Sequence, residues 1–392
     1  MASPAPRVAI TGIGVVSPFG VGRECFWDHI SRGVSGTRAI TEFEPKFACQ
    51  VAASVPDASL VRAGAAGVDP GDEAAAVAGG GRADPRRYAK VSRIAVLAAT
   101  EALRDAGLDP NGLDAGVIVG IVSSEISIAL GLHGISHVLS TGCTSSTDAI
   151  GYAAMLIRQG EADVLITGGA DACVTPGMIF GFSRMRIVAT RYNDRPAEAS
   201  RPFDRGRDGF VLGEGAWLMT VEREDRARAR GARIYATIEG YGSTCDAYHR
   251  VQMDPEGKEI VRAMQLAVTR SGRSFDDIGY INYHGTSTQL NDAVEVQCVR
   301  RAFGPRAEQV PGSSTKSMIG HPQGASGAAG VVATALAIAR GLAPPTINLT
   351  DPDPACDLDF IPNTARQMSI DTALCNCLGF GSKNSALVLG RA

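Results

Sequence analysis

The stretch that decides the fold is STGCTSS, residues 140–146. It lies between a short apolar run at 135–139, typical of a buried strand, and a segment at 148–159 whose apolar residues recur at helical spacing. A strand, a glycine-containing turn and a helix in this order form the repeating unit of α/β proteins. The sequence therefore predicts that residue 143 lies at the N-terminus of a helix.

The same alternation continues along the chain. Apolar runs at 117–122, 164–167, 235–239 and 280–283 predict further strands, and segments at 92–106, 258–271 and 327–340 predict further helices. Two helix-to-strand passages have equal length, since Gly107 precedes Gly120 by 13 residues and Gly272 precedes Gly285 by 13. This repetition favours two similar halves, although helix, glycine and strand recur in any protein of this class.

Composition excludes several classes of function. The 392 residues are 45% hydrophobic and 20% charged with a net charge of −3, which argues against a protein-wide nucleic-acid or membrane-surface role. We expect no membrane association, because no run of about 18 apolar residues and no signal-peptide pattern occurs. The nine cysteines include no CxxC pair, which argues against a zinc site or a disulfide framework and favours a cytoplasmic protein with reduced thiols.

Cys143 is the candidate nucleophile. At a helix N-terminus, unpaired backbone N–H groups and the helix dipole favour thiolate over thiol. The preceding Gly142 permits a tight turn and the close approach of a substrate. The alternative is that Cys143 is a small buried side chain, as most cysteines are.

Two of the six histidines follow predicted strands or turns. His284 closes the run at 280–283, and His321 precedes the glycine-rich start of a helix. Because α/β proteins place active sites at strand ends, a cysteine with two imidazoles would suit acyl transfer. Either histidine would equally fit a hydrogen-bonded structural role. A metal site is less favoured, because no HExxH motif occurs and the HxxxH spacing of His133 and His137 falls at a predicted strand rather than on one helix face.

Together these motifs resemble the β-ketoacyl synthase family nearly from end to end of the chain. STGCTSS is similar to the nucleophile segment, NYHGTST at 282–288 to the first histidine motif, and KSMIGH at 316–321 to the second. RPFD at 201–204, with DGFVLGEGA at 208–216, is similar to a further family segment.

The resemblance implies an α/β thiolase-like fold with layers in the order α-β-α-β-α. Its two similar halves would be residues 1–230, with the nucleophile, and 231–392, with both histidines. The implied partners are an acyl carrier protein and a second subunit, in a homodimer or in a heterodimer with a chain-length-factor subunit. No metal or cofactor is implied beyond the phosphopantetheine arm of the carrier protein.

The resemblance also implies roles for single residues. Cys143 would accept an acyl chain as a thioester, while His284 and His321 would bind the malonyl thioester, promote loss of CO2 and stabilise the enolate. Lys316, with Glu295, would order the imidazoles through charge and hydrogen bonding. Thr286 and Thr288 would contact the phosphopantetheine arm. Phe380 would gate the site, and its backbone N–H would bind the oxyanion together with that of Cys143. Lys316 and Glu295 would equally fit a buried structural ion pair.

Departures from the family pattern favour one kind of member. Tyr283 replaces a residue that is commonly small, and Ser382 and Lys383 replace the usual Gly-Thr, which favours a type II polyketide synthase over a fatty-acid one. A non-catalytic partner subunit is less favoured, because the nucleophile and both histidines are present. A thiolase acting on coenzyme A esters would need a second cysteine near the C-terminus, which Cys375 and Cys377 keep open.

The chain is unusually short between residues 122 and 126. The family has roughly 30 more residues here, which form part of the dimer interface and of the acyl pocket. Either the protein lacks them, or the printed sequence joins residues across a missing stretch. We favour the second hypothesis and expect a chain break near 123–125.

An acidic carrier protein would need a basic docking surface. The candidates are Arg184, Arg186, Arg191 and Arg195, which cluster in one stretch. An ordinary solvated charged surface explains them equally well.

Overall fold

The structure is a computed structural model that describes residues 6–63 and 89–392. Its strands are β1 Val8–Ser17, β2 Gly20–Val21, β3 Arg38–Ala39, β4 Val51–Ala53, β5 Gly116–Val119, β6 Ser136–Val138, β7 Val164–Asp171, β8 Leu212–Gly213, β9 Gly215–Arg223, β10 Ala236–Cys245, β11 Tyr280–Asn282, β12 Gly312–Ser313, β13 Leu342–Ala343, β14 Arg366–Gln367, β15 Thr372–Gly379 and β16 Lys383–Gly390. Its α-helices are α1 Arg23–Ser31, α2 Asp57–Ala63, α3 Lys90–Asp105, α4 Ser123–Leu130, α5 Ser145–Gln159, α6 Pro176–Met185, α7 Glu224–Ala229, α8 Lys258–Ser271, α9 Gln289–Phe303, α10 Lys316–Ile319 and α11 Ser326–Arg340.

The main strands form two half-sheets with the same internal order. The order is β6-β5-β7-β9-β1 in the first half and β12-β11-β15-β16-β10 in the second. The directions also match: β5 and β11 run parallel to both of their neighbours, whereas β9 and β16 run antiparallel to both of theirs. The expectation of two similar halves is thus confirmed.

The two half-sheets meet at their first strands. β1 and β10 pair antiparallel, with Val8 opposite Ile238 and Ile10 opposite Ala236. One continuous sheet therefore links the halves. The exact division at residues 230 and 231 stays a prediction.

Helices fill the layers on either side of the half-sheets and between them. α3 packs on β1 and β9, and α8 packs on β10 and β16, whereas α5 and α11 contact each other between the half-sheets. Residues 326–338 of α11 are all buried. Small residues allow this close packing, because a Cβ at Gly327 would lie 1.8 Å from Oγ1 of Thr147 in α5. The arrangement is the α-β-α-β-α layering of the thiolase-like fold.

The chain is continuous where we expected a break. After β5 it turns through Val122, whose φ is 62°, and α4 begins at Ser123. The backbone N–H of Ile126 donates to the carbonyl of Val122 in the first turn of this helix. The expected chain break is absent, because a regular helix spans the suspected junction. The hypothesis that the printed sequence joins residues across a missing stretch stays a prediction.

Two features are absent from the described residues. Within 6–63 and 89–392, no helix is long and apolar enough to cross a membrane. In the same ranges, no three His, Cys, Asp or Glu side chains are grouped so that they could hold a metal ion.

Candidate active site

Cys143 is the middle residue of a 3-10 turn, Gly142–Thr144, that leads directly into α5. Gly142 has a φ of 71°, which glycine adopts without strain. The hydroxyls of Thr141 and Thr144 donate to Oδ2 of Asp148 at 2.5 and 3.0 Å, which fixes the turn on the helix. The predicted position of the nucleophile at a helix N-terminus is confirmed.

Both histidines come from the second half and meet Cys143 at one cavity. His284 lies just after β11, and His321 lies just after α10. Their ring centroids are 5.3 Å apart with the ring planes at 89°. Because Cys143, His284 and His321 line the same cavity, the structure brings together the three residues predicted for the chemistry.

Backbone hydrogen bonds hold each histidine in place. Glu295 in α9 accepts the backbone N–H groups of His284 and Gly285, each at 2.8 Å. The backbone N–H of His321 donates to the carbonyl of Val211 at 2.7 Å. Glu295 is not part of the cavity wall. The Glu295 carboxylate therefore holds the backbone of His284 from behind the cavity wall, as a residue that orders this imidazole would.

The expected hydrogen bond between Lys316 and Glu295 is corrected. These two described residues form no hydrogen bond and no ion pair within 4.0 Å, because the Glu295 carboxylate is occupied by two backbone N–H groups and by Nδ2 of Asn376. Lys316 is only 5% exposed. Its charge nevertheless lowers the pKa of both imidazoles and of Cys143. Lys316 thus acts on the site through its electric field.

The two imidazoles are neutral. Burial lowers the pKa of His284 and of His321 well below the usual value, and the charge of Lys316 lowers both further. Nδ1 of each ring is buried and has no hydrogen-bond partner among the described residues, whereas both rings line the cavity, so we assign Nε2 as the nitrogen that meets a substrate. Nε2 of a neutral imidazole donates a hydrogen bond in one tautomer and accepts a proton in the other, which suits binding of a carbonyl oxygen and transfer of a proton.

Cys143 rests as a thiol, which corrects the expected thiolate. Burial raises the pKa of Cys143 to about 12, although the backbone N–H of Phe380 and the charge of Lys316 act in the opposite direction. Desolvation of the anion at this buried position outweighs the helix N-terminus. The proton must therefore leave the sulfur while the thioester forms.

The other two candidate cysteines lie behind the nucleophile. Sγ of Cys377 donates to the carbonyl of Cys143 at 3.2 Å, and Sγ of Cys375 donates to Oγ1 of Thr334 at 3.3 Å. Neither cysteine lines the cavity. The thiolase alternative therefore lacks the second thiol that it requires at the reaction centre.

The remaining predicted residues lie on the cavity wall. Thr286 and Thr288 contact each other there through their hydroxyls at 3.0 Å, and Phe380 occupies the turn between β15 and β16. The backbone approaches closely, because a Cβ at Gly379 would lie 3.3 Å from the amide nitrogen of Cys143. The other lining residues are Met185, Ile187, Phe210, Val251, Gln252, Met253, Leu290, Asn291 and Leu378.

Part of the predicted arginine cluster lies at the mouth of this cavity. Met185 and Ile187 line the cavity, and the exposed Arg184 and Arg186 alternate with them along the chain. Arg195 is instead engaged by Glu198 at 3.0 Å. The first two arginines are thus better placed for a partner at the cavity than the rest of the cluster.

Two residues at the site escaped the sequence analysis. Oε1 of Gln323 lies 3.7 Å from Sγ of Cys143, and its position two residues after His321 was the signal that could have revealed it. Arg250 is exposed and precedes Val251 of the cavity wall. No motif marks Arg250, because it joins the mouth from a separate segment.

Comparison with family models settles the family. The family model described as "Beta-ketoacyl synthase, N-terminal domain" matches residues 5–125 and 117–227. The model described as "Beta-ketoacyl synthase, C-terminal domain" matches residues 235–350. The chain belongs to the β-ketoacyl synthase family. It is an acyltransferase, a ketosynthase that extends an acyl chain on cysteine by decarboxylative condensation with a malonyl thioester.

Similar proteins come from two branches of this family. The tetracenomycin polyketide synthase ketoacyl synthase alpha subunit of Streptomyces glaucescens is 39% identical, over 98% of this chain and 97% of that protein. The 3-oxoacyl-[acyl-carrier-protein] synthase 2 of Coxiella burnetii is 40% identical, over 98% of both chains. The ishigamide ketosynthase/chain length factor structure matches with a TM-score of 0.88 at 30% identity, over 99% of this chain and 100% of that one.

The comparisons also locate the short segment after β5. The Streptomyces alignment spans 432 positions, more than the 392 residues of this ketosynthase. The two stretches that match the N-terminal domain overlap at residues 117–125, around the turn into α4. The printed sequence is therefore shorter than its relatives, and the split in the family match falls at this turn.

Proposed function

We propose that this protein is the ketosynthase subunit of a type II polyketide synthase and that an acyl carrier protein delivers both of its substrates. The observation that carries the proposal is the meeting of Cys143 with two neutral imidazoles in a cavity that Thr286 and Thr288 also line. A solved relative supports the partner: "type II PKS acyl-carrier protein in complex with its ketosynthase" matches with a TM-score of 0.86 at 30% identity.

The first step loads the nucleophile. Sγ of Cys143 attacks the thioester carbonyl of the carrier-bound acyl chain, and the bond from that carbonyl to the pantetheine sulfur breaks. The proton of the Cys143 thiol passes to the departing pantetheine thiolate, with a neutral imidazole as the relay. The high pKa of the buried thiol is the reason that this relay is required.

The second step uses the two imidazoles together. With a malonyl thioester in the cavity, His284 and His321 donate Nε2–H to its carbonyl oxygen, the carbon–carboxylate bond breaks, and CO2 leaves. The enolate carbon then attacks the acyl thioester on Cys143, whose oxyanion lies at the backbone N–H groups of Cys143 and Phe380. Collapse expels the Cys143 sulfur as a thiolate, which takes up one proton from water to return to the thiol, and gives a β-ketoacyl product two carbons longer. No metal or further cofactor takes part.

The partner subunit would cover the free edge of the first half-sheet. β6 ends the strand order, and its residues Ser136–Val138 are all exposed. Exposed apolar side chains lie on the neighbouring helices, with Ile128 at 56% and Met155 at 41% exposed, beside Val138 at 51%. An exposed edge strand with apolar neighbours is a surface that proteins normally cover. A chain-length-factor subunit of the same fold is the partner that we propose.

A fatty-acid β-ketoacyl-ACP synthase is the second candidate. Its support is the 40% identity with the Coxiella synthase, which is close to the 39% identity with the Streptomyces ketosynthase. The two functions differ in their partner requirement, because only the polyketide version depends on a chain-length-factor subunit.

Intact-protein mass after incubation with an acyl-loaded carrier protein tests both candidates. We expect an acyl adduct on the wild type and none on Cys143→Ala. An adduct that forms only after a chain-length-factor subunit is added supports the polyketide function, whereas efficient loading and turnover of the protein alone would favour the fatty-acid one. No adduct under either condition would contradict both and point to a non-catalytic subunit.

A further inference from the structure

Gln323 places a carboxamide against the nucleophile. It opens the 3-10 turn Gln323–Ala325 that leads into α11. Its Oε1 accepts the Sγ–H of Cys143 at 3.7 Å. The residue has a φ of 39°, which costs a non-glycine residue energy, so the surrounding structure holds it there.

The other end of this carboxamide has no partner. Nε2 of Gln323 is buried and makes no hydrogen bond to any described residue. A buried amide that leaves its N–H groups unpaired is unfavourable. Next to a reaction centre, such a group is placed to pair with something that arrives there.

The arriving group is the acyl chain. Gln323 is not among the residues that line the cavity with the two imidazoles. It contacts the sulfur of Cys143 without lining the wall that holds His284 and His321. Acylation also removes the thiol hydrogen, so Oε1 loses its donor and the carboxamide becomes free to turn Nε2 toward the chain.

We propose that Gln323 is a specificity-determining residue that donates a hydrogen bond to an oxygen close to the thioester of the chain on Cys143, and that it thereby favours β-ketoacyl over saturated acyl chains. The proposal rests on the ketosynthase function proposed above. A saturated chain offers no acceptor, and it leaves the amide unpaired inside the protein. A site that hydrogen-bonds a substrate oxygen discriminates against the analogue that lacks it.

A competition experiment tests this proposal. The protein is offered equal amounts of acetoacetyl and butyryl pantetheine thioesters, and the two adducts on Cys143 are counted by intact mass. We expect the wild type to favour acetoacetyl by about tenfold. Gln323→Met keeps the length of the side chain but removes the amide, so the ratio should fall to about one. Gln159→Met, at the exposed end of α5, is the matched control and should keep the wild-type ratio.

Two results would overturn the proposal. An unchanged preference in Gln323→Met, with Cys143 still loaded, would remove the specificity role and leave the ketosynthase function intact. Failure of the wild type to load either chain from these thioesters or from carrier protein would contradict the proposed function itself. Gln323→Asn retains a shorter carboxamide and should give an intermediate ratio, so the question stays answerable if Gln323→Met does not fold.

Discussion

Burial raises the pKa of the Cys143 thiol to about 12, and the charged Lys316 is one of the groups that oppose this rise. We expect the alkylation of Cys143 by iodoacetamide to rise from about pH 7 to about pH 10 without a plateau, since the thiolate fraction grows about tenfold per pH unit below the pKa. Lys316→Met removes the charge and should slow alkylation several-fold near pH 7. Because burial lowers the pKa of Lys316, this difference should shrink as the pH rises. Peptide mass spectrometry measures the rate at Cys143 alone.

The control for this prediction is Lys258→Met. Lys258 pairs with Glu256 at the surface at 2.6 Å, and its loss should leave the alkylation rate of Cys143 unchanged. A plateau near neutral pH would show that Cys143 is already a thiolate. Equal rates near pH 7 in the wild type and Lys316→Met would show that the lysine does not act on the sulfur.

The sequence predicts the identity of the reacting residues better than their state. Cys143, His284 and His321 were found from motifs, because each follows a strand or turn that the local pattern reveals. The charge of Cys143 was predicted wrongly, because a helix N-terminus is local whereas burial depends on both halves of the fold. The Lys316–Glu295 contact was wrong for a similar reason, since the partners of Glu295 come from separate elements.

The close crossing of α5 and α11 predicts how a larger residue at Gly327 would change the stability of the protein. A Cβ at Gly327 in α11 would lie 1.8 Å from Oγ1 of Thr147 in α5. Gly327→Ala should therefore destabilise the protein by about 1–3 kcal/mol, as overpacking of a core does. Urea unfolding followed by fluorescence measures the free energy of unfolding.

Gly181 in α6 is the matched helical control. An added Cβ there meets nothing within 4 Å. Gly181→Ala should stabilise the protein by about 0.5–1 kcal/mol, because alanine loses less backbone freedom in a helix. If both alanine variants stabilised the protein, the close crossing of the two central helices would be disproved.

The ends of three helices lie where glycine in the sequence predicts them. Gly160, Gly272 and Gly341 directly follow α5, α8 and α11 with φ values of 80°, 72° and 63°, as glycine at a helix C-terminus predicts. The turn into α4 was missed. Its residue with positive φ is Val122, a side chain that no turn rule would place there.

The free edge of β6 gives a prediction for the whole molecule. Val138 is half-exposed on this strand, at the end of the sheet. If a subunit of the same fold covers the edge, Val138→Glu should bury a charge in the interface and weaken the association by at least about tenfold. Light scattering at graded concentration, of the protein with its proposed partner and alone, measures the change.

The control is another exposed apolar residue away from this edge. Tyr248 is 55% exposed and lies beside Ser382, to which its backbone N–H donates. Tyr248→Glu should leave the association unchanged. If Val138→Glu and Tyr248→Glu changed the strength of association equally, the β6 edge would be excluded as the subunit interface.

The whole-molecule plan was predictable only in outline. The equal glycine spacings indicated two similar halves, and the strand order confirms them. That order could not be read from the residues, because β15 and β16 insert between β11 and β10, and such pairings join strands far apart in the chain. Location in the cytoplasm stays a prediction.

Because the sulfur belongs to the first half and both imidazoles belong to the second, the halves are poor units for exchange between homologous genes. A recombinant joined near residue 230 would combine the nucleophile of one parent with the histidines and Gln323 of the other. It would also pack α5 of one parent against α11 of the other, although these two helices evolved in different proteins. An exchange confined to one surface loop, with both crossover points inside that loop, would keep one parent's reaction centre whole.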